Sequence, residues 1–287
     1  MVLVTMLLCL ANEPAPTAYA LYDGQGKATT YAAMLDTMAG AEVVFFGELH
    51  NDAVAHWLEL SVATALADRF GPHLALGAEM LERDQQLIVD EYLAGTIRSQ
   101  DLTGGTKLWP NWADYAPLLD LAKARKLPFV ASNVPRRYAA LLSRDGWPAL
   151  ERLSSPAKAL FAQLPVTVDT SLPGYQEILK MDTHGAKIKP ELMVAAQALK
   201  DATMAESIHR AMPQGGCLLH FNGAYHSNGR EGILWYLKRL RPGLRAVTLN
   251  TVQAAEVTRI PGEAKGTADF VLVTAAGLVD KGPEWPA

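Results

Sequence analysis

The sequence predicts an α/β fold of three layers, a mostly parallel central sheet flanked by helices, with a helical insertion that caps it. Three observations lead there. Short apolar runs bounded by turn residues recur along the 287-residue chain, each too short for a globular helix and rich in Val, Leu or Phe. Patterns of helical period lie between them. The runs themselves are apolar almost without interruption, as strands covered on both faces are.

Taken in order, the first strand is VVFFG at 43–47. The stretch NDAVAHWLELSVATALADRFG follows, with an Asn or Asp cap, an amphipathic body and a terminal Gly, and reads as a helix. LALGAE at 74–79 is the second strand and RDQQLIVDEYLAG a helix after it. LPFVAS at 127–132 is the third strand. From 135 to 212 no strand is expected. That span carries helical patterns around a Pro/Gly-rich break, QLPVTVDTSLPGYQEILKMDTHG, and closes on PELMVAAQALKDATMAESIHRAM, whose Pro sits at the first helical turn. CLLHFNG at 217–223, RAVTLN at 245–250 and DFVLVT at 269–274 complete the sheet. Residues 21–287 are expected to form one domain, with 1–20 outside it.

Composition narrows the function. The chain is 49% hydrophobic and 20% charged, with a net charge of −4 and no Lys/Arg block, which argues against a nucleic-acid partner. No apolar run approaches the roughly 20 residues of a membrane-spanning helix. The first ten residues, MVLVTMLLCL, are nearly all apolar and lack the basic residues that precede the core of an export signal. Cys9 ends the run where a lipoprotein's acylated cysteine stands, but Leu8 precedes it where a small residue is preferred. An exported, lipid-anchored envelope protein and a plain apolar tail are both open. Cys217, inside an apolar run, reads as a core residue.

In open α/β sheets ligands sit at the carboxyl ends of the strands. After the first strand comes Gly47-Glu48-Leu49-His50, after the second Glu79, after the third Asn133 with Arg136 and Arg137, and after the fourth Asn222-Gly223-Ala224-Tyr225-His226. Gly47 and Gly223 are expected to take positive φ and turn the chain sharply. Glu48, His50, Glu79 and His226 are the candidate catalytic residues, since carboxylates and imidazoles move protons near neutral pH. His50, Glu79 and His226 are the candidate ligands of a divalent metal gathered from different strands. His50 and His56 are six apart, which on a regular helix separates them by about 240°, so one helix cannot offer both to one metal. The plainer reading makes Glu79 a helix cap, His220 a satisfied core histidine, and Trp109, Trp112 and Tyr115 packing residues.

The stretches VVFFGELHNDAVAH, GAEMLERDQQLIVDEYLAG, WPNWADYAPLL, AQALKDATMAESI and LLHFNGAYHS, in this order from Leu21 to Asn250, resemble the ChaN family of haem-binding lipoproteins linked to iron uptake. That family belongs with the Tiki/TraB and erythromycin-esterase-like proteins. The resemblance implies haem bound at the surface through a tyrosine, as a stacked pair between the subunits of a homodimer. Tyr175 is the best-placed tyrosine, within the insertion, with Met181 and His184 close by in sequence. It implies equally the superfamily's two Gly-x-x-His motifs and intervening glutamate, which here are His50, His226 and Glu79 with Glu48 as the nearby acid. A haem-binding protein of iron acquisition is thus the first expectation. A metal-dependent peptidase or esterase using the strand-end cleft is the alternative, with Arg136 or Asn222 to hold an oxyanion.

Overall fold

The computed structural model describes residues 17–181 and 189–277. All six predicted strands form: β2 (Val43–Glu48), β3 (Leu74–Glu82), β4 (Phe129–Asn133), β5 (Cys217–Gly223), β6 (Ala246–Ala254) and β7 (Phe270–Ala275). A seventh, β1 (Tyr19–Asp23), precedes them and begins inside the span expected to lie outside the domain. The sheet order is β1-β7-β6-β2-β5-β3-β4. Every neighbouring pair is parallel except β1 with β7 at the edge.

The helices in chain order are α1 (Tyr31–Met38), α2 (Ala53–Phe70), α3 (Gln86–Leu93), α4 (Ser99–Gly105), α5 (Trp112–Arg125), α6 (Arg136–Asp145), α7 (Trp147–Glu151), α8 (Ser155–Lys158), α9 (Pro173–Lys180), α10 (Pro190–Ala211) and α11 (Ile233–Leu240). Period-two alternation in β2 divides its side chains between two cores. Val44 and Phe46 join Leu58, Val62 and Leu66 of α2 and Leu118 and Leu119 of α5 on one face. Val43 and Phe45 join Val194, Ala198 and Ile208 of α10 and Ile233 and Leu237 of α11 on the other. Both phenylalanines are fully buried, each contributing about 1.5–3 kcal/mol relative to an exposed side chain.

Local chemistry starts and stops the helices that matter for the site. Asp52 caps α2, its Oδ1 accepting from the Val54 and Ala55 amides, and Gly71 ends it. The second Asp52 oxygen accepts from the Thr274 hydroxyl, which ties the start of α2 to β7. Between β4 and β5 the described residues form α6 to α10 and no strand. The longest of these, α10, begins with Pro190 in its first turn and crosses the β4–β3–β5 side of the sheet. Among the described residues no helix is long and apolar enough to cross a membrane.

Candidate functional site

Strand register brings the candidate residues together. Gly47 lies beside Asn222 and Glu48 beside Gly223, while Ala78 pairs with Phe221, so Glu79 stands at the same level, just past the last β3–β5 pair. The two glycines serve close approach rather than positive φ. Gly223 has φ −54°, and a Cβ there would stand 2.8 Å from His50 Nε2. A Cβ on Gly47 would meet Asn250 Oδ1 at 2.6 Å and the Ala224 backbone at 3.0 Å. Any side chain at either position would push the strand-end residues apart.

On the insertion side of this line, every charge has a partner. Glu79 Oε2 accepts from the Gly223 amide at 2.8 Å, and Oε1 stands 3.1 Å from His226 Nε2. His226 Nδ1 contacts Asp201 Oδ1 at 2.5 Å, and Asp201 Oδ2 accepts from the Tyr175 hydroxyl at 2.8 Å. All four are buried. Burial alone would lower the His226 imidazole, but the Glu79 and Asp201 charges outweigh it and push it up to about 10. Burial would raise Glu79, yet His226, His50 and the Gly223 amide hold it well below the usual carboxylate range. The imidazolium is therefore clamped between two carboxylates. Glu79 does not cap the following helix; Gln85 stands at the N-cap of α3, and its side chain accepts from the Glu82 amide in the turn before it.

On the α2 side the chemistry is the same but the balance is not. Glu48 Oε1 contacts His50 Nδ1 at 2.6 Å and accepts from the Tyr115 hydroxyl at 2.8 Å. Glu48 Oε2 lies 2.9 Å from His56 Nε2 without hydrogen-bond alignment. His50 and His56 thus do converge on one group, because His50 sits in the loop before α2 rather than on it. Burial works to raise Glu48, but His50 and His56 overcome it and bring it down to about 2. His50 is opposed by its own burial and raised overall by Glu48 and Glu79. Glu59, one turn beyond His56, is fully buried, and burial together with the Glu48 charge lifts it well above the carboxylate range. Trp109 packs edge-on against His50, with ring centroids 4.9 Å apart, as a lip at the partly exposed end of this cluster.

Several expectations change. His50, Glu79 and His226 do lie close, with His226 Nε2 3.1 Å from Glu79 Oε1 and the other His226 nitrogen held by Asp201. Among the described residues, Glu48, His56 and Glu59 are the set whose ligand atoms gather, all within 4.8 Å of one another. Asn222 is spent within the fold, donating to the Gly223 carbonyl and Ser227 Oγ while its Oδ1 meets His220 Nδ1, so it holds no oxyanion. Arg136 is exposed and Arg137 pairs with Asp84. His220 is a satisfied core histidine, between Ser132 Oγ at 2.8 Å and Asn222. Tyr175 cannot present a surface ligand as it stands: it is 2% exposed and its hydroxyl is bound to Asp201. Met181 is half exposed at the end of α9. His184 and Cys9 lie outside the described residues.

Asp201, Gln197, Glu59 and the hydroxyl of Tyr115 were not singled out from sequence. Each had a signal. Gln197 and Asp201 are one helical turn apart on a helix whose neighbouring residues are buried, and Glu59 stands between Ala55 and Val62 on the apolar stripe of α2.

Comparison with known proteins gives a family and a fold. A family model described as haem-binding uptake, Tiki superfamily, ChaN matches residues 34–237. The structure superposes on ChaN of Campylobacter jejuni, described with cofacial haem binding, at TM-score 0.66 and 18% identity, covering 89% of this chain and 96% of that one. A succinoglycan biosynthesis protein matches at TM-score 0.51 and 10% identity, covering 85% of this chain and 90% of that one. An erythromycin esterase mutant, EreC H289N, matches at TM-score 0.48 and 13% identity, covering 90% of this chain and 83% of that one. No curated protein sequence matches the chain.

Proposed function

Because the chain belongs to the ChaN family of haem-binding uptake proteins in the Tiki superfamily, we propose that it binds haem at its surface for bacterial iron acquisition, with Tyr225 as the ligand to ferric iron. One observation carries the choice of residue. All nine tyrosines of the chain fall among the described residues, and Tyr225, 38% exposed, is the most accessible of them. It stands between Gly223 and His226 at the end of β5, and its hydroxyl donates to the Gly174 carbonyl at the start of α9. Half-exposed Met181, at the other end of α9, offers apolar contact for a porphyrin face.

A tyrosinate oxygen suits ferric iron. The Tyr225 proton is held firmly, burial first and then the Glu177, Asp201 and Glu231 charges pushing the phenol up to about 12. To hold ferric iron, Tyr225 would have to give up that proton. A hemin titration of the purified protein should give a Soret band that shifts and saturates at a defined ratio. Tyr225→Phe should weaken binding at least tenfold or abolish it. No saturable change in the wild type would sink the haem reading; a full wild-type spectrum from Tyr225→Phe would move the ligand elsewhere. The same reading places the protein in the cell envelope, anchored at Cys9, and has hemin drive a homodimer. Cys9→Ser should then release it from the membrane fraction, and sedimentation should show a dimer with hemin.

A further inference from the structure

We propose that Glu48, His56 and Glu59 form a buried site for one divalent transition-metal ion of the zinc, manganese or ferrous class, separate from any haem. His56 and Glu59, three residues apart on α2, share one face of the helix and look onto the end of β2, where Glu48 stands. One ligand atom from each lies within 4.8 Å of the others.

The unmet polar atoms are what point to a cation. Glu48 Oε2 and His56 Nε2 face each other at 2.9 Å without hydrogen-bond alignment, and both Glu59 oxygens are buried with no hydrogen-bond partner in the protein. Glu48 is 1% exposed and Glu59 0%. Buried polar atoms are nearly always satisfied, and buried charges pair or bind metals. Two carboxylates face to face are acceptors only. A single shared proton would join Glu59 to Glu48 and leave His56 Nε2 and the second Glu59 oxygen unmet. A cation takes a lone pair from all three side chains at once.

The surroundings already have the form of an outer shell. Glu48 Oε1 is occupied by the Tyr115 hydroxyl and by His50, which leaves Oε2 as its inward ligand. On the far side of the imidazole, Asp114 Oδ2 stands 3.9 Å from His56 Nδ1, an acid near the ring but outside hydrogen-bond range. One imidazole and two carboxylates suit zinc, manganese or ferrous iron; calcium and magnesium favour all-oxygen shells. With a neutral imidazole, a dication cancels the two carboxylate charges and the buried assembly is neutral.

The test uses the full chain, stripped with chelator and titrated with Zn²⁺, and separately with Mn²⁺, by calorimetry and thermal melting. One ion per chain should bind with a dissociation constant of micromolar or tighter, and the melting temperature should rise. Glu59→Gln, which keeps the shape and removes the anion, should weaken binding at least tenfold. Co²⁺ gives a second readout in the wild type, its visible spectrum reporting a mixed imidazole–carboxylate shell. Absence of saturable binding by either ion, or Glu59→Gln binding as tightly as the wild type, overturns the site. In that case the shared proton is what holds the pair. Should Glu59→Gln fail to fold, His56→Asn and the Co²⁺ spectrum decide by the same criteria.

Discussion

At the carboxyl end of the sheet, Glu79 with His226 and Glu48 with His56 are each a buried acid against a buried imidazole, set on strands one apart in the sheet. What surrounds them differs. Asp201 of α10 and the Gly223 amide complete the first pair. The second meets another acid, Glu59, and keeps polar atoms unmet. A saturated network of this kind is a fixed piece of structure, since its charges already satisfy one another. An unsaturated one of the same residue types is where a guest is accommodated. The difference comes from the helices: α10 delivers an acid where a cation already stands, and α2 delivers one where an anion does.

The comparison breaks most readily at Asp201. Asp201→Asn leaves the clamped His226 with one anion in place of two, and should cost about 3–5 kcal/mol, the usual consequence of removing one partner from a buried pair. Urea unfolding of the two proteins measures it. A cost below about 1 kcal/mol would mean that the insertion-side network is no more consolidated than its neighbour.

A second histidine on β5 sharpens the contrast by titrating the other way. His220 is fully buried between a hydroxyl and an amide, and burial lowers it to about 4. Its folded value lies below its unfolded value of about 6.5, so the neutral form's contribution is complete above pH 6.5 and is lost as pH falls towards 4. The loss over that window is about 3 kcal/mol. Glu48 and Glu79, both lowered on folding, lose their contributions only below about pH 4.5, so the windows separate. His226, His50 and Glu59 are raised on folding and act alike in both proteins, so the measure is the difference: the unfolding free energy of the wild type relative to that of His220→Gln should fall from pH 7 to pH 5.

Tyr175 tests the boundary between structure and ligand. Tyr175→Phe removes one hydrogen bond to Asp201 and should cost about 1–2 kcal/mol while the hemin spectrum stays as in the wild type. A lost Soret shift would show that the phenol leaves Asp201 to reach iron.

How far this was legible in the sequence depends on which interactions decide each part. Strands covered on both faces are apolar throughout, so β2 to β7 stand out, and the strand-end rule then finds Glu48, His50, Glu79 and His226. The edge strand β1 does not, because three of its five residues are only partly buried and it follows an apolar segment that masks its start. Glu59 and Asp201 are harder for another reason. An acid on the buried stripe of a helix is visible, but its partner is set by packing between elements distant in the chain. The same holds for Tyr225: its position beside His226 is plain in the sequence, and its exposure is a property of the folded surface.

The smallest expected effect is the one that most directly opposes the first. Glu59→Gln, made in metal-free protein, is the same chemical change as Asp201→Asn, a buried acid turned to its amide. Here the acid faces an anion and is lifted well above the carboxylate range, so it can donate to Glu48 Oε2 only by taking up a proton, whereas a carboxamide N–H donates without one. The substitution should therefore change stability by no more than about 0.5 kcal/mol, and in the favourable direction. Thermal melting of chelator-treated wild type and variant reads it. A cost approaching that of Asp201→Asn would place a cationic partner on Glu59 even after chelation, and the two halves of the cleft would then be electrostatically alike.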